Sequence, residues 1–382
     1  MNIIDIINKK RMNGELSLDE LKFVVNGFLD GTVLDCQMSS LLMAIVLNGM
    51  TEEETFNLTD VMLESGHVID LSNIDGIKVD KHSTGGVGDK TSLILVPLVA
   101  SCGVKVAKMS GRSLGHTGGT IDKLESIDGF NVNLTNEQFI NQVNNVGCAL
   151  VSQTKELVPA DKKIYALRDL TGTVESIPLI ASSIMSKKLA SGVDKIVIDV
   201  KVGNAAFMKN LESARKLANL MVKIGKNKGR DTICVLTNMD EPLGNNIGNA
   251  LEVRESIEVL KGNGPSDLKE IILTLSSLMV SLGKNIDMDS ALEQVKQNLS
   301  NGEAYNKFEE MVSAQNGNLN NIPVSKHVFS VKSKKTGFIN KIDAYKLGML
   351  EREMGDSRFN QKDIIDYTVG FILNKKVGDY VL

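Results

Sequence analysis

The sequence predicts an α/β protein with three parts: an all-helical lobe, a larger lobe with a mostly parallel sheet flanked by helices, and a small C-terminal β-rich appendage. Three observations predict this class. Residues 1–66 carry only helical patterns, β-branched runs alternate with helical periodicity from residue 77 onward, and two glycine-rich loops each follow a strand and precede a helix. The predicted strands are Ile77–Asp80, Val104–Met109, Ala149–Ser152, Ile196–Lys201 and Thr232–Thr237.

Composition excludes several classes of function. The 382 residues include 42% hydrophobic and 24% charged side chains, which is ordinary for a globular protein. A net charge of −4 gives no electrostatic reason to bind nucleic acid or an anionic membrane. The four cysteines have no paired spacing, and the charged N-terminus is unlike a signal peptide. We therefore expect reduced thiols and a cytoplasmic location.

The N-terminal segment is predicted to form helices with defined starts. Ser17 with Glu20, and Thr51 with Glu54, have the spacing of capping boxes. An apolar stripe lies between them, formed by Leu41, Leu42, Ala44, Ile45 and Leu47. Such a stripe suits either an intramolecular core or a contact between subunits.

The first glycine-rich loop is KHSTGGVGDKTS, residues Lys81–Ser92. Its three glycines let the backbone turn sharply and present bare N–H groups, and the helix predicted after it directs its positive end at the same place. With Lys81 and the hydroxyl side chains, this arrangement suits an oxyanion, most simply phosphate. The alternative is a strand-to-helix turn that needs glycine only for its shape.

A second loop, Ser110–Thr120, repeats the arrangement. We expect the two loops to follow adjacent parallel strands and to converge on one anion. Neither loop matches a Walker A sequence or the dinucleotide fingerprint, so nucleoside triphosphate and NAD sites are disfavoured. His116, inside this loop, is predicted to be structural.

The rest of the chain is predicted to contain further helices, a linker and the β-rich appendage. Residues 159–190 read as helical and interrupt the alternation of strands and helices. Helices continue from Gly264 to Ser313, a polar linker spans residues 314–321, and Val328–Leu382 forms the appendage.

Long motifs in this sequence closely resemble the thymidine/pyrimidine-nucleoside phosphorylases. They are the loop Lys81–Ser92, the run SGRSLGHTGGTIDKLE (residues 110–125), and the segments 159–163, 165–169, 176–180 and 183–188. The resemblance covers nearly the whole chain. It implies reversible phosphorolysis of pyrimidine nucleosides (uridine, thymidine and deoxyuridine) to free base and pentose 1-phosphate, without an organic cofactor, by a homodimer joined through the helical lobe.

The resemblance also implies a division into domains in which the helical lobe is discontinuous, because the later helical segment packs back onto the N-terminal helices. The helical lobe comprises residues 1–66 and 159–192, the α/β lobe residues 67–158 and 193–325, and the appendage residues 326–382. Relatives continue beyond the last residue here, so the appendage is expected to be shortened and to leave a sheet edge exposed.

By resemblance, three groups of residues are expected at the active site. The phosphate-binding residues are Lys81, Ser83, Ser92, Lys108, Ser110 and Thr120. The base-binding residues are Arg168, Ser183 and Lys187, of which Arg168 and Lys187 also stabilise the leaving base. His82 is the candidate general acid, because imidazole titrates near neutral pH. Without the resemblance, the hydroxyls read as local turn or cap groups, and Arg168 and Lys187 as solvated charges.

A monovalent cation, potassium in the family resembled, is expected at Gly88, Lys90, Leu243, Asn246 and Glu255. Lys90 departs from the family pattern. An ammonium beside the ion would weaken binding of the ion or replace the ion.

Two alternatives stay open within enzymes and one outside them. Lys108 favours a broad pyrimidine-nucleoside phosphorylase over a strict thymidine phosphorylase, which tends to carry methionine there. A related phosphoribosyltransferase is disfavoured, because no acidic motif suits magnesium and pyrophosphate. The third alternative is a binding paralogue with impaired catalysis.

Overall fold

The computed structural model describes residues 1–113, 115, 117–154, 156–358 and 363–382, so His116 lies outside the described residues. The helices of the described residues are α1 (Ile3–Arg11), α2 (Leu18–Asp30), α3 (Asp35–Asn48), α4 (Glu52–Glu64), α5 (Thr91–Ser101), α6 (Thr120–Glu125), α7 (Asn136–Val146), α8 (Pro159–Thr171), α9 (Ile177–Ala190), α10 (Leu211–Asn227), α11 (Asn249–Leu260), α12 (Ser266–Lys284), α13 (Met288–Ser300), α14 (Glu303–Ala314) and α15 (Ala344–Glu353).

The strands of the described residues are β1 (Val79–Ser83), β2 (Val106–Ser110), β3 (Cys148–Ser152), β4 (Lys195–Val202), β5 (Asp231–Asn238), β6 (Asn246–Ile247), β7 (Gly337–Phe338), β8 (Phe371–Ile372) and β9 (Tyr380–Val381). The order in the main sheet is β1-β4-β5, and β2 pairs in parallel with β3 from Val106 opposite Cys148 onward. A parallel bridge from Lys78 to Lys105 places β1 beside β2. The two glycine-rich loops therefore follow neighbouring parallel strands.

Contacts between Cα atoms divide the chain into two compact units. The first unit comprises Met1–Leu71, Gln153–Ile196 and Glu212–Cys234, and the second comprises the remaining described residues. The segment Glu212–Cys234 groups with the helices, whereas the sequence placed it in the α/β lobe. The domain boundaries given above stay predictions.

The first unit is built mainly from helices whose starts follow from local chemistry. Both predicted capping boxes are present, because Ser17 and Thr51 accept hydrogen bonds from the N–H groups of Glu20 and Glu54. Helix α4 packs against α9, and α2 packs against α4 and α8. In the predicted stripe on α3, Leu41, Leu42, Ala44 and Ile45 are buried, but Leu47 is 76% exposed.

The second unit has its core around α5, which is apolar on every side and buried from Thr91 to Ala100. A helix with no polar face must be covered on all sides, and α11, α12, α13 and α14 pack against it together with β2 and β3. This burial fixes the first turn of α5, which contains the last two residues of the first glycine-rich loop, Thr91 and Ser92.

The C-terminal appendage contains little regular sheet in its described residues. Strands β7 and β9 pair antiparallel, and β8 pairs with β6. Helix α15 lies between β7 and β8 in the sequence. The predicted fold class is confirmed: helical segments, a mostly parallel sheet flanked by helices, and small C-terminal strands. Among the described residues no single helix is long and apolar enough to cross a membrane, and the pair α12 and α13, which passes that test jointly, is bent by 117°.

Candidate active site

Lys81 lies at the centre of a buried polar cluster at the end of β1. Its Nζ donates to Thr91 Oγ1 at 2.5 Å and lies 3.5 Å from Asp199 Oδ2 and 3.9 Å from Asp89 Oδ1. The Lys81 side chain is 2% exposed. The sequence placed this residue in a loop, but β1 continues through Ser83, so a strand holds the ammonium in place.

Asp89 connects the hydroxyl groups of the first loop. Its carboxylate accepts hydrogen bonds from Ser83 Oγ and, at 2.6 Å, from Thr91 Oγ1. Burial opposes ionisation of Asp89, but the charges of Lys201 and Lys81 and the two hydroxyl groups outweigh it and hold its pKa well below the ordinary value. Asp89 is therefore a fixed negative charge beside Lys81.

The end of β2 adds a second lysine. Lys108 Nζ donates to the carbonyl oxygen of Lys81 at 2.6 Å and lies 3.2 Å from Asp80 Oδ1. The Lys108 side chain thus ties β2 to β1. The other predicted phosphate residues lie at element ends, Ser92 in the first turn of α5, Ser110 as the last residue of β2, and Thr120 as the first residue of α6.

The two glycine-rich loops lie side by side. Gly85 has φ +97°, which favours glycine, and a Cβ there would lie 3.4 Å from the Thr117 side chain. Lys123 on α6 donates to the carbonyl of Asp89 at 2.8 Å and pairs with Glu252 on α11 at 2.7 Å. Burial lowers the pKa of Lys123, but the Glu252 carboxylate outweighs it and the pKa is raised. Helix α6, which follows the second loop, is thus fastened to the first loop.

Sequence reasoning missed the charged pair on β4. Asp199 and Lys201 lie 2.7 Å apart with side chains 0% exposed, and Thr237 on β5 donates to Asp199 at 2.5 Å. Burial lowers the pKa of Lys201, but the Asp199 and Asp89 carboxylates outweigh it and the pKa is raised. Asp199 and Lys201 alternate with apolar residues in β4 and so share one face, and that signal could have identified them.

The chemical consequence of this cluster is a set of preorganised charges. Lys81, Lys108 and Lys201 are each held by a carboxylate, so their positions do not depend on an anion being bound. Fixed cations with hydroxyl groups beside them can hold an oxyanion in a site that excludes most water. The cluster suits inorganic phosphate.

The predicted base-binding residues lie together in the first unit. Lys187 Nζ on α9 donates to Ser183 Oγ at 2.8 Å and to Asp161 Oδ2 at 2.5 Å. It also lies 5.7 Å from the ring centre of Tyr165. Ser183 and Lys187 are one helical turn apart, so they share one face as the sequence predicted. Asp161 and Tyr165 were not identified from the sequence.

Arg168 on α8 is fully buried. Among the described residues, none of its hydrogen bonds is to a carboxylate. Its guanidinium donates to three backbone carbonyls, those of Val174 at 2.7 Å, Thr173 at 3.2 Å and Leu179 at 3.2 Å. Burial lowers the pKa of Arg168 from its ordinary value. Its Cζ lies 5.4 Å from the ring centre of Tyr165, so Tyr165 lies near both cations of this group.

His82 is half-buried on β1. Successive side chains of a strand point to opposite faces, so His82 lies on the other face of β1 from Lys81 and Ser83. Its role as general acid stays a prediction.

The five predicted cation ligands also lie together, in the second unit. Lys90 Nζ lies 2.9 Å from Leu243 O, 2.8 Å from Asn246 O and 2.5 Å from Glu255 Oε2. The carbonyl of Gly88 accepts the Lys90 N–H at 2.9 Å. The oxygen atoms of Leu243, Asn246 and Glu255 therefore converge on the Lys90 ammonium, whereas the Gly88 carbonyl faces the Lys90 backbone N–H.

Comparison with known proteins identifies the family of this chain. Models of the glycosyl transferase family match residues 75–305 (a/b domain) and 4–66 (helical bundle domain), and the pyrimidine nucleoside phosphorylase C-terminal domain matches 338–382. The pyrimidine-nucleoside phosphorylases of Staphylococcus epidermidis and Bacillus subtilis are 53% and 52% identical to this chain, over 100% of it and 90% of each relative.

Among solved structures, anthranilate phosphoribosyltransferase from Thermus thermophilus superposes with a TM-score of 0.65 at 18% identity, over 81% of this chain and 99% of that one. This likeness shows the fold alone. The whole-chain identity and the matched domains together show that the chain belongs to the pyrimidine-nucleoside phosphorylase family of glycosyl transferases.

Proposed function

We propose that this protein catalyses the reversible phosphorolysis of pyrimidine nucleosides, namely uridine, thymidine and deoxyuridine, to free base and (deoxy)ribose 1-phosphate. The observation that carries the proposal is the Lys81 cluster, in which the first glycine-rich loop and three neighbouring strands present fixed cations and hydroxyl groups. The family membership supports it.

In this reaction an oxygen of phosphate forms a bond to the anomeric carbon of the pentose, and the bond from that carbon to N1 of the pyrimidine breaks. The electron pair of the broken bond leaves with the base, which then takes up a proton. We assign phosphate to Lys81, Lys108, Ser83, Ser92, Ser110 and Thr120. Holding the phosphate at the anomeric carbon converts a bimolecular step into a step within one complex.

The departing base carries negative charge, so cations beside it lower the barrier. We assign this role to Lys187 and Arg168, with Ser183 as a hydrogen-bonding partner of the ring. Asp161 and Ser183 hold the Lys187 ammonium in position. We assign delivery of the proton to His82, since imidazole exchanges protons near neutral pH.

The experiment is a panel of nucleosides with and without inorganic phosphate, with release of base followed by chromatography. We expect uracil from uridine and deoxyuridine and thymine from thymidine, each only when phosphate is present. Release from the deoxynucleosides alone would favour a strict thymidine phosphorylase. Binding of base without turnover would indicate a paralogue with impaired catalysis and would refute the proposal.

We also propose a homodimer, joined through the first unit, in the cytoplasm. Support comes from α3, where Met43 and Leu47 are one helical turn apart and 38% and 76% exposed, and where the N-cap residue Leu34 is 56% exposed. Light scattering coupled to size-exclusion chromatography should give the mass of a dimer, and Leu47→Glu should shift it toward the monomer. An unchanged dimer in this variant would refute this placement of the interface.

A further inference from the structure

The Lys90 ammonium has all its hydrogen bonds satisfied inside the second unit. An ammonium offers three N–H donors and accepts none, and Leu243 O, Asn246 O and Glu255 Oε2 provide three acceptors. The side chain is 0% exposed, so water does not compete for these bonds.

These oxygens are also the ones that a monovalent metal ion would need. Carbonyl oxygens are typical ligands of potassium in proteins. A metal ion at the same oxygens would share a buried shell with an ammonium of like charge, and like charges repel strongly where little water screens them. The residues present therefore do not fit a monovalent metal ion.

The loop around Lys90 and Glu255 has little conformational freedom to make room for a metal ion. Gly244 has φ +72°, and a Cβ there would lie 2.4 Å from Glu255 Oε2 and 2.9 Å from Lys90 Nζ. Glu255 also accepts the backbone N–H groups of Asn245 at 3.0 Å and Asn246 at 3.2 Å. The loop is thus closed tightly around the carboxylate and the ammonium.

We infer that the Lys90 ammonium is a built-in cation that takes the place of a monovalent metal ion, so that this protein folds and acts independently of potassium. The consequence for activity rests on the proposed phosphorolysis, whereas the consequence for stability does not.

The inference gives Lys90 a positioning role at the phosphate cluster. Lys90 lies between Asp89 and Thr91, whose side chains hold Ser83 and Lys81. Its ammonium ties this segment to the loop before α11 and to Glu255 on α11. Glu255 and Glu252, which lie one turn apart on α11, thereby both fasten the first glycine-rich loop. Glu255 does so through Lys90, and Glu252 through Lys123, which donates to the Asp89 carbonyl.

The first test uses the wild-type protein in potassium, sodium and choline chloride at equal ionic strength. We expect kcat/KM for phosphorolysis to agree within about twofold and Tm within about 1 °C across the three salts. Thallium NMR, with Tl⁺ as a probe of potassium's size and charge, should detect no bound ion. A saturable rise of Tm with potassium, or a bound thallium ion that potassium displaces, would overturn the inference.

The second test changes the cation itself. Lys90→Thr removes the ammonium and leaves the carbonyls and the carboxylate, so we expect Tm to fall in choline chloride and to recover saturably with potassium. Lys123→Thr is the matched control, because Lys123 is equally buried and pairs with a carboxylate one turn away on α11. We expect Lys123→Thr to lose stability without specific recovery in potassium.

The outcomes separate this inference from the proposed function. Equal recovery of both variants, or a Lys90→Thr protein that is as stable as wild type in choline chloride, would contradict the built-in cation. If Lys90→Thr folds in none of the salts, the wild-type Tm and thallium measurements still decide. Absence of phosphorolysis in every salt, with the expected Tm pattern, would refute the function and leave the inference standing.

Discussion

The Lys81 ammonium lies 3.5 Å from Asp199 Oδ2, and both side chains are almost fully buried. The pair joins β1 to β4, and Asp199 also pairs with Lys201. A buried carboxylate shared by two lysines fixes both ammonium groups before any substrate arrives. Preorganised charge of this kind costs no rearrangement during the reaction.

Replacing Lys81 should remove the main charge that attracts phosphate. We expect Lys81→Ala to lower kcat/KM by about 10²–10³-fold, comparable to the loss of one preorganised oxyanion donor. Steady-state kinetics with varied phosphate measures this, and circular dichroism checks that the fold persists. Activity near wild type in a folded variant would contradict the phosphate assignment.

Asp199→Asn should destabilise the protein strongly. The change leaves two buried ammonium groups without their shared carboxylate, and breaking a buried pair costs about 3–5 kcal/mol. Asp231→Asn is the control, because Asp231 also pairs with a lysine but is 66% exposed, and exposed pairs contribute about 0–1 kcal/mol. Urea denaturation measures the free energy of unfolding, and equal losses in the two variants would contradict the structural role of Asp199.

Lys187→Ala should impair bond breaking. The Lys187 ammonium is held by Asp161 and Ser183, and its charge counts most when the base departs. We expect kcat to fall by about 10²-fold or more while KM for phosphate stays near wild type. Asp161→Asn should produce a smaller fall in kcat, because it loosens the ammonium without removing it. Unchanged turnover in Lys187→Ala would exclude Lys187 from the leaving-group role.

Stability should depend on pH through Glu351. Burial and the carboxyl groups of Asp356 and Glu252 raise the pKa of Glu351 well above its ordinary value, and burial raises the pKa of Asp356 to about 6. The folded protein then binds these protons more tightly than the unfolded chain, so the free energy of unfolding falls as pH rises through about 6.

Glu351→Gln removes one of the two coupled titrations, so its Tm should fall less steeply than that of wild type as pH rises from about 5 to about 8. Glu353→Gln, at an exposed position on the same helix, should follow the wild-type curve. Calorimetry across this pH range provides the data. Parallel curves for Glu351→Gln and wild type would rule out this source of pH dependence.

Much of the fold could be predicted because its signals are local. The capping boxes at Ser17 and Thr51, the apolar helix α5 and the β-branched strands all depend on residues close together in sequence. The end of β1 was placed too early, since polar residues after Asp80 read as a loop. Thr84 N–H in fact donates to the Asp199 carbonyl of β4 at 3.0 Å, and this pairing of distant residues is absent from the local pattern.

The residues of the candidate site could be predicted from the sequence, but the side chains that contact them were harder to predict. Lys81 and Lys108 stood out beside glycine-rich loops, whereas Asp199 gave only the weak signal of a charge within an apolar strand. Lys90 was recognised as a departure from the family. Sequence spacing could not show which residues its ammonium contacts, because they lie more than 150 positions away: Leu243, Asn246 and Glu255.

The most direct measurement of the central claim is a crystal structure of the wild-type protein with inorganic phosphate. We predict one phosphate within hydrogen-bond distance of Lys81 Nζ and of hydroxyl groups from both glycine-rich loops. A phosphate bound elsewhere, with the space between the loops filled by neighbouring side chains, would contradict the account.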